Sequence, residues 1–249
     1  IKLTFIILQM NKPKLLNIKR YEIVNKLNGN QNIGVELGVA EGNFSKKLIE
    51  SNKFSIFYGI DSYNEFQHND NEYKLAKSRL SEFKNYKLIR KTFNSSTNLF
   101  KDEYFDFIYI DGFAHTGNNG GETLFNWFNK LKIGGILAGD DYHSDWPLVI
   151  DVVNEFIKQT KFQLFLTEKS DEDNYSQYPS WFVFKEKKIS LFLPETYKIK
   201  SIAKHEEEIE KRKNQKISFN LKLFLYKFLK NILPNKLFIF LLNMYKKIF

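Results

Sequence analysis

Ile33-Gly34-Val35-Glu36-Leu37-Gly38-Val39-Ala40-Glu41-Gly42-Asn43-Phe44-Ser45 runs from a short apolar strand, through an acid and two glycines, into a helix. Glycine belongs where the backbone takes positive φ or comes close to a ligand. A strand-to-helix turn also presents backbone N–H groups suited to an anionic group. The spacing here is Gly-x-x-x-Gly with Glu36 two residues upstream, unlike the Gly-x-Gly-x-x-Gly turn that holds a dinucleotide pyrophosphate. An upstream acid suits a ligand that also carries a positive charge, such as an amino acid's ammonium group. Alone, the pattern is equally compatible with two glycines that simply shape a turn.

The pattern continues outward from that stretch. Residues 54–60 read as a second strand ending at Asp61, 69–83 as a helix with Tyr73, Leu75, Ala76, Leu80 and Phe83 on one face, and 87–90 as a third strand. A polar loop, residues 92–96, follows, and then a strand over 105–110 that ends at Asp111. Residues 121–131 read as a helix, 132–135 as a turn, 136–139 as a strand ending at Asp140-Asp141, and 149–160 as a helix. Residues 162–167 and 181–185 make a closing pair of strands. Alternating strands and helices predict a doubly wound α/β fold with helices on both faces of a mostly parallel sheet. Ligands bind such sheets beyond the carboxyl ends of the strands. A single Asp after a strand is ordinarily a turn former, but here Glu36, Asp61, Asp111 and Asp140-Asp141 all fall at one edge.

These pieces together resemble the class I S-adenosylmethionine-dependent methyltransferases, and among them the metal-dependent sugar and small-molecule O-methyltransferases (methyltransferase family 24-like). The matching motifs are residues 35–42, Tyr58-Gly59-Ile60-Asp61, Ile110-Asp111-Gly112 with His115, and residues 131–135 followed by Asp140-Asp141-Tyr142. The resemblance covers about residues 30–186. It implies a Rossmann-like sheet of seven strands, the last antiparallel. It also implies that Gly38 and Gly42 let the backbone pass close to the cofactor's methionine part, with Glu36 shaping the turn. Asp61 would accept from both ribose hydroxyls, since a carboxylate offers acceptors only. Ser62 and Tyr63 would lie near the adenine, as would Phe93 or Asn94, with plain core packing the alternative for Tyr63 and Phe93.

Methyl transfer from a sulfonium is a displacement whose hard chemistry the cofactor carries. The protein aligns donor and acceptor, and a hydroxyl acceptor must lose a proton. Asp111, Asp140 and Asp141 resemble the carboxylates that hold Mg²⁺ in the metal-dependent branch. Adjacent strand residues point to opposite faces, so Asp140 and Asp141 can share an ion only if their strand has already ended. The other reading bonds Asp141 to backbone or to a lysine. His115 and His143 follow acidic strand ends and are candidate general bases beside Asp111. His115 follows one residue later than in the family, and the loop 116–121 lacks the family's tyrosine and aspartate and reads as a substrate-facing segment. Asp145 with Pro147 reads as a helix start, and His68 and His205 as solvated surface.

The chain has no cysteine, which excludes disulfides and thiolate metal sites and favours a reducing cytosol. Residues 1–29 read as an N-terminal segment, 30–200 as the methyltransferase domain and 201–249 as a charged linker and tail. Leu3 to Leu8 is too short for a signal h-region, and Met10 offers an alternative start that would leave residues 1–9 untranslated. The net charge of +9 is unevenly placed: from Lys211 onward there are 10 basic residues and no acid, leaving 28 basic and 29 acidic in residues 1–210. Apolar residues between those lysines predict basic amphipathic helices suited to an anionic membrane surface at the inner face of the membrane. The longest uninterrupted apolar block, Leu237 to Leu242, is too short to span a bilayer. Packing of the tail on the domain or on a second subunit is the alternative, and nucleic acid is disfavoured by the acidic pocket edge. The sequence therefore predicts an S-adenosylmethionine-dependent O-methyltransferase, assisted by Mg²⁺, acting on a sugar or glycoconjugate hydroxyl. A nucleotide-cofactor oxidoreductase and a non-catalytic membrane-associated binding module are the alternatives.

Overall fold

A computed structural model describes residues 12–64, 68–111, 121–168 and 178–214, apart from 205, 208, 209 and 212. His115, His205, residues 1–9, most of the loops 112–121 and 170–179, and the tail beyond 214 lie outside the described residues. The chain divides into two compact units, 1–202 and 203–249. In the second, the described residues are helical, with Lys204 and Lys211 flanking Glu207 at 3.2 and 2.6 Å.

The first unit contains strands β1 (Lys14–Leu15), β2 (Asn32–Leu37), β3 (Phe54–Asp61), β4 (Tyr86–Arg90), β5 (Phe105–Ile110), β6 (Leu131–Gly139), β7 (Phe165–Leu166) and β8 (Trp181–Phe184). Its α-helices are α1 (Asn43–Ile49), α2 (Asp70–Leu80), α3 (Phe93–Ser96), α4 (Glu122–Phe128) and α5 (Pro147–Thr160). All strands form one sheet in the order β1-β7-β8-β6-β5-β2-β3-β4. Every pairing is parallel except those of β8, which runs antiparallel to both β6 and β7. The chain order reverses where β2 pairs with both β3 and β5, and that switch point opens a crevice at the strands' carboxyl ends.

Alternation along the strands builds a core on each side of the sheet. Ile108 and Ile110 of β5 face a cluster with Trp127, Phe128 and Phe156 from α4 and α5. Phe107 and Tyr109 face the other way, against Phe44 and Leu48 of α1 and Ile23 and Val24 of a 3₁₀ helix, Arg20–Lys26. Parallel strands buried on both faces read as unbroken apolar runs, which is why their ends stand out in the sequence.

The predicted elements need four adjustments. The sheet has eight strands, because Lys14–Leu15 adds to the outer edge of β7 with Lys14 N–H donating to Leu164 O at 2.9 Å. The loop at 92–96 is a helical turn, capped by Thr92, whose hydroxyl accepts from Ser95 N–H at 3.2 Å. Strand β6 begins at Leu131 and carries through Gly134 and Gly135, since Gly134 N–H donates to Lys185 O at 2.7 Å and Lys185 N–H, just past β8, donates to Gly135 O at 2.9 Å. In α2 the capping box of Asn69 and Glu72 starts the helix, Ala76 and Leu80 face inward, and Leu75 is exposed.

Candidate functional site

The acids predicted at the sheet edge do come together there. Glu36 lies in β2 and Asp61 is the last residue of β3, while Asp111 and Asp140 directly follow β5 and β6. The ladder continues through them: Gly38 N–H donates to Ile60 O at 2.9 Å, Asp111 N–H to Leu37 O at 2.7 Å, and Asp140 N–H to Ile110 O at 3.1 Å.

The turn above β2 needs its glycines. Gly38 sits at φ 102°, and Gly42 at φ 79° precedes α1, where an added Cβ would lie 2.7 Å from Leu80 Cδ1. Glu36 is buried beneath this turn, and its carboxylate accepts from Ser45 Oγ in the first turn of α1. Burial pushes its pKa well above the usual carboxylate range. This geometry ties Glu36 to the shape of the turn. Asp61 holds the turn from the neighbouring strand: its Oδ2 accepts from Val39 N–H at 2.9 Å and Ala40 N–H at 3.0 Å, and its Oδ1 from Tyr63 N–H at 3.2 Å. A carboxylate offers about four lone-pair sites, so Oδ1 keeps capacity for one hydroxyl, and a second would take the place of His68 on Oδ2. The turn and Asp61 thus fit a ligand that presents a diol beside a chain running over glycine backbone.

His68 is not solvated surface. Its Nδ1 lies 2.7 Å from Asp61 Oδ2, and the side chain is largely shielded. Burial opposes both charges, but the hydrogen bond and mutual attraction outweigh it, so the pKa of His68 is raised and that of Asp61 is lowered. Tyr63 is fully buried at φ 47°, with its hydroxyl donating to Ala40 O at 2.8 Å, which is the packing role and not an open adenine platform. Phe93 packs on the main core, Ser62 is half-buried beside Asp61, and Asn94 donates through Nδ2 to Glu122 Oε2 at 3.1 Å.

At the neighbouring strand ends, β6 stops at Gly139, so Asp140 and Asp141 lie beyond the strand and are freed from its alternation. A residue from the N-terminal segment completes this corner. The Arg20 guanidinium, 4% exposed, donates to Asp140 Oδ2 at 2.7 Å and lies 3.3 Å from Asp111 Oδ2. It also stacks over Phe44 at 4.1 Å. The antiparallel register of β8 opposes Trp181 to Gly139 and so carries Ser180 to Asp140. Ser180 Oγ donates to Asp140 Oδ1 at 2.9 Å and shares a 2.8 Å bond with Tyr109 Oη. Asp141 is half-buried at φ 61°, and its carboxyl makes no hydrogen bond among the described residues. Burial, then the charges of Asp140 and Asp111, raise its pKa well above the usual range; burial and Asp111 raise that of Asp140 against the pull of Arg20.

Asp111, Asp140 and Asp141 do not fit Mg²⁺ as expected from the resemblance. That ion takes near-octahedral oxygen ligands at about 2.0–2.1 Å, whereas a guanidinium bridges two of these acids and Ser180 engages the remaining oxygen of Asp140. Among the described residues, no group of three or more His, Cys, Asp or Glu could hold a metal ion. His143 stacks on Tyr178 at 4.4 Å, and its Nδ1 accepts from Asp145 N–H at 3.2 Å. Asp145 accepts from Tyr178 Oη at 2.5 Å, and Trp146 occupies the position before α5. Asp145 belongs to the His143 turn, and α5 starts at Pro147, the helix start expected there.

Residues 35–142 match a family model described as a methyltransferase domain. No curated protein matches the chain. Among solved structures, cofactor-bound Rv0187 from MTB aligns with a TM-score of 0.54 at 8% identity, covering 70% of this chain and 82% of that one. Spermidine synthase from Thermotoga maritima aligns at 0.50 and 15% identity, covering 73% and 69%. The N-methyltransferase NodS from Bradyrhizobium japonicum aligns at 0.49 and 16% identity, covering 68% and 95%. At these identities the alignments with Rv0187 and the synthase speak for the fold alone. The strand order, the glycine turn with its acids and the family match converge: residues 35–142 match a methyltransferase domain, on a sheet with the class I, S-adenosylmethionine-dependent methyltransferase fold.

Proposed function

We propose that the protein methylates a hydroxyl group of a sugar or glycoconjugate. The observation that carries this reading is the pair of chemically distinct corners along one sheet edge. Asp61 and the Gly38–Gly42 turn form the cofactor corner; Asp111, Asp140 and Asp141 form the acceptor corner. Several fixed carboxylates suit an acceptor with several hydroxyls, since each can take a donated hydrogen bond. The resemblance of Ile110-Asp111-Gly112 and Asp140-Asp141 to sugar O-methyltransferases supports the same class.

When bound, S-adenosylmethionine supplies an electrophilic methyl group, and the chain's own work is binding, orientation and proton handling. Asp61 receives the ribose hydroxyls. Asp111, held together with buried Asp140 by Arg20, orients the acceptor. Asp141 takes the hydroxyl proton: it stands past the strand end, half-buried, with a carboxyl not committed to a protein hydrogen bond among the described residues. His115 is a second base candidate from the sequence, outside the described residues. Mg²⁺ assistance is not part of the proposal, because Arg20 engages the acids that would hold the ion.

No helix among the described residues is long and apolar enough to cross a membrane. The acid-free basic stretch from Lys211 supports an anionic membrane surface, and so an acceptor made there, as the setting of the reaction. Calorimetry tests the cofactor, with absence of binding at millimolar S-adenosylmethionine refuting the reading. Transfer of a labelled methyl group into glycans of a deletion strain tests the acceptor; label in protein or nucleic acid alone would overturn it. Sedimentation with anionic vesicles, with and without residues 211–249, tests the tail, and unchanged binding after truncation would rule out an anchor.

A further inference from the structure

We propose that the Arg20 guanidinium takes the place of a divalent cation at the acidic edge, so that Asp111 and Asp140 are held by a protein charge and the site excludes metal. The proposal takes its meaning from the methyltransferase reading, but its test does not depend on it.

Arg20 is fixed on both sides. It opens a 3₁₀ helix anchored by buried Ile23 and Val24, and the start of that helix is closed by Lys19 N–H donating to Glu22 Oε2 at 2.6 Å. On the other side, the guanidinium lies over Phe44, itself buried in α1. Its reach to Asp140 at 2.7 Å and Asp111 at 3.3 Å joins the ends of β5 and β6 in one ion-pair cluster. Asp140 is engaged through each oxygen, one by Arg20 and one by Ser180. A dication could reach these acids only by expelling a buried arginine from its aromatic seat or by sitting beside its positive charge. Both are unfavourable. Both contacts are made by the one nitrogen, Nη1, so a single buried positive charge serves two carboxylates. Arg20 is thus a positioning residue: it orients Asp111 and Asp140 and supplies the charge that a metal would otherwise bring.

The test uses Mn²⁺ as the probe, read by the electron paramagnetic resonance signal of the free ion, on the full-length protein. Wild type is expected to leave the signal undiminished at equal protein and Mn²⁺ concentrations near 0.1 mM. Arg20→Ala opens the acidic edge and binds Mn²⁺ at least tenfold more tightly than wild type, and adding Asp140→Asn abolishes that gain. Arg20→Lys keeps a cation in place and stays as metal-free as wild type. Stoichiometric Mn²⁺ binding by wild type that Asp140→Asn removes would overturn the proposal. So would a folded Arg20→Ala protein, checked by circular dichroism, that binds no more Mn²⁺ than wild type. If Arg20→Ala does not fold, the wild-type measurement decides alone. Calorimetry with S-adenosylmethionine on the same samples separates this outcome from failure of the methyltransferase reading, which would show as lost cofactor binding with the Mn²⁺ result unchanged.

Discussion

Replacing Asp61 tests the cofactor corner most directly, because one carboxylate serves both the turn and the proposed ribose contact. It is 4% exposed and accepts from Val39, Ala40 and Tyr63 N–H groups and from His68. Asp61→Asn keeps the size and one acceptor oxygen but removes the charge. A hydrogen bond to a charged group contributes about 1.5–3 kcal/mol against about 0.5–1.5 for a neutral one. Two ribose hydroxyls therefore lose about 2–3 kcal/mol, which weakens S-adenosylmethionine binding roughly 30- to 150-fold. Asp61→Ala removes every acceptor and leaves the Val39 and Ala40 N–H groups without theirs. At about 1–3 kcal/mol for each of these two stranded groups, stability falls by about 2–6 kcal/mol, or roughly 4–24 °C in Tm. The pKa of Asp61 is lowered by folding, so its stabilisation is present above the ordinary value of 3.8 and is lost as pH falls through the lower folded value. The stability gap between wild type and Asp61→Asn should accordingly close in strong acid. Calorimetry and thermal melts measure both quantities. Binding by Asp61→Asn within threefold of wild type would refute the ribose assignment, and an unchanged Tm for Asp61→Ala would refute its role in the turn.

Three further perturbations probe other parts of the domain. Asp141→Asn removes a half-buried carboxyl whose pKa is raised by folding, so the wild-type penalty grows as pH rises from the ordinary value through the raised one. Since Asn tolerates the left-handed backbone at φ 61°, the variant should melt a few degrees higher at pH 8 and no higher at pH 4, while methyl transfer falls about 10²- to 10⁴-fold; a lower Tm at pH 8 would contradict this. His68 competes for Asp61 Oδ2 when protonated, so wild-type affinity for S-adenosylmethionine should strengthen as pH rises through the raised His68 pKa, and His68→Ala should flatten that profile. Lys185 is 2% exposed and donates to Phe128 O at 3.1 Å and Leu131 O at 2.6 Å, so Lys185→Met should cost about 2–4 kcal/mol in urea unfolding with an unchanged m-value.

What the chain discloses by itself is what depends on local pattern. Ile108 and Phe107 are neighbours on one strand and face opposite cores, so β5 has to be apolar at both positions, and the acid that follows it is conspicuous. The same holds for β2, β3 and β6, which is why the sheet edge and most of its acids were readable. Two-residue β1 has no such pattern. Its Leu15 is 71% exposed, and only the pairing with β7 makes it a strand.

Arg20 marks the limit of that kind of reading. It is separated by 91 residues from Asp111 and by 120 from Asp140, and its neighbours Lys19 and Tyr21 give it the look of an ordinary basic segment. Two acids buried at adjacent strand ends call for a proton on one of them or a compensating cation, because buried like charges are otherwise too costly. A sequence does not say whether that cation is an ion from solution or a side chain from elsewhere in the fold. Carboxylate spacing is the same in both cases. The difference lies in the position of the N-terminal 3₁₀ helix, whose buried Ile23 and Val24 face Phe44 and α1 and so deliver Arg20 to the strand ends. On the proposal above, metal exclusion in this chain rests on a segment outside the matched residues 35–142, and motif resemblance within them carries the acids without their counter-charge.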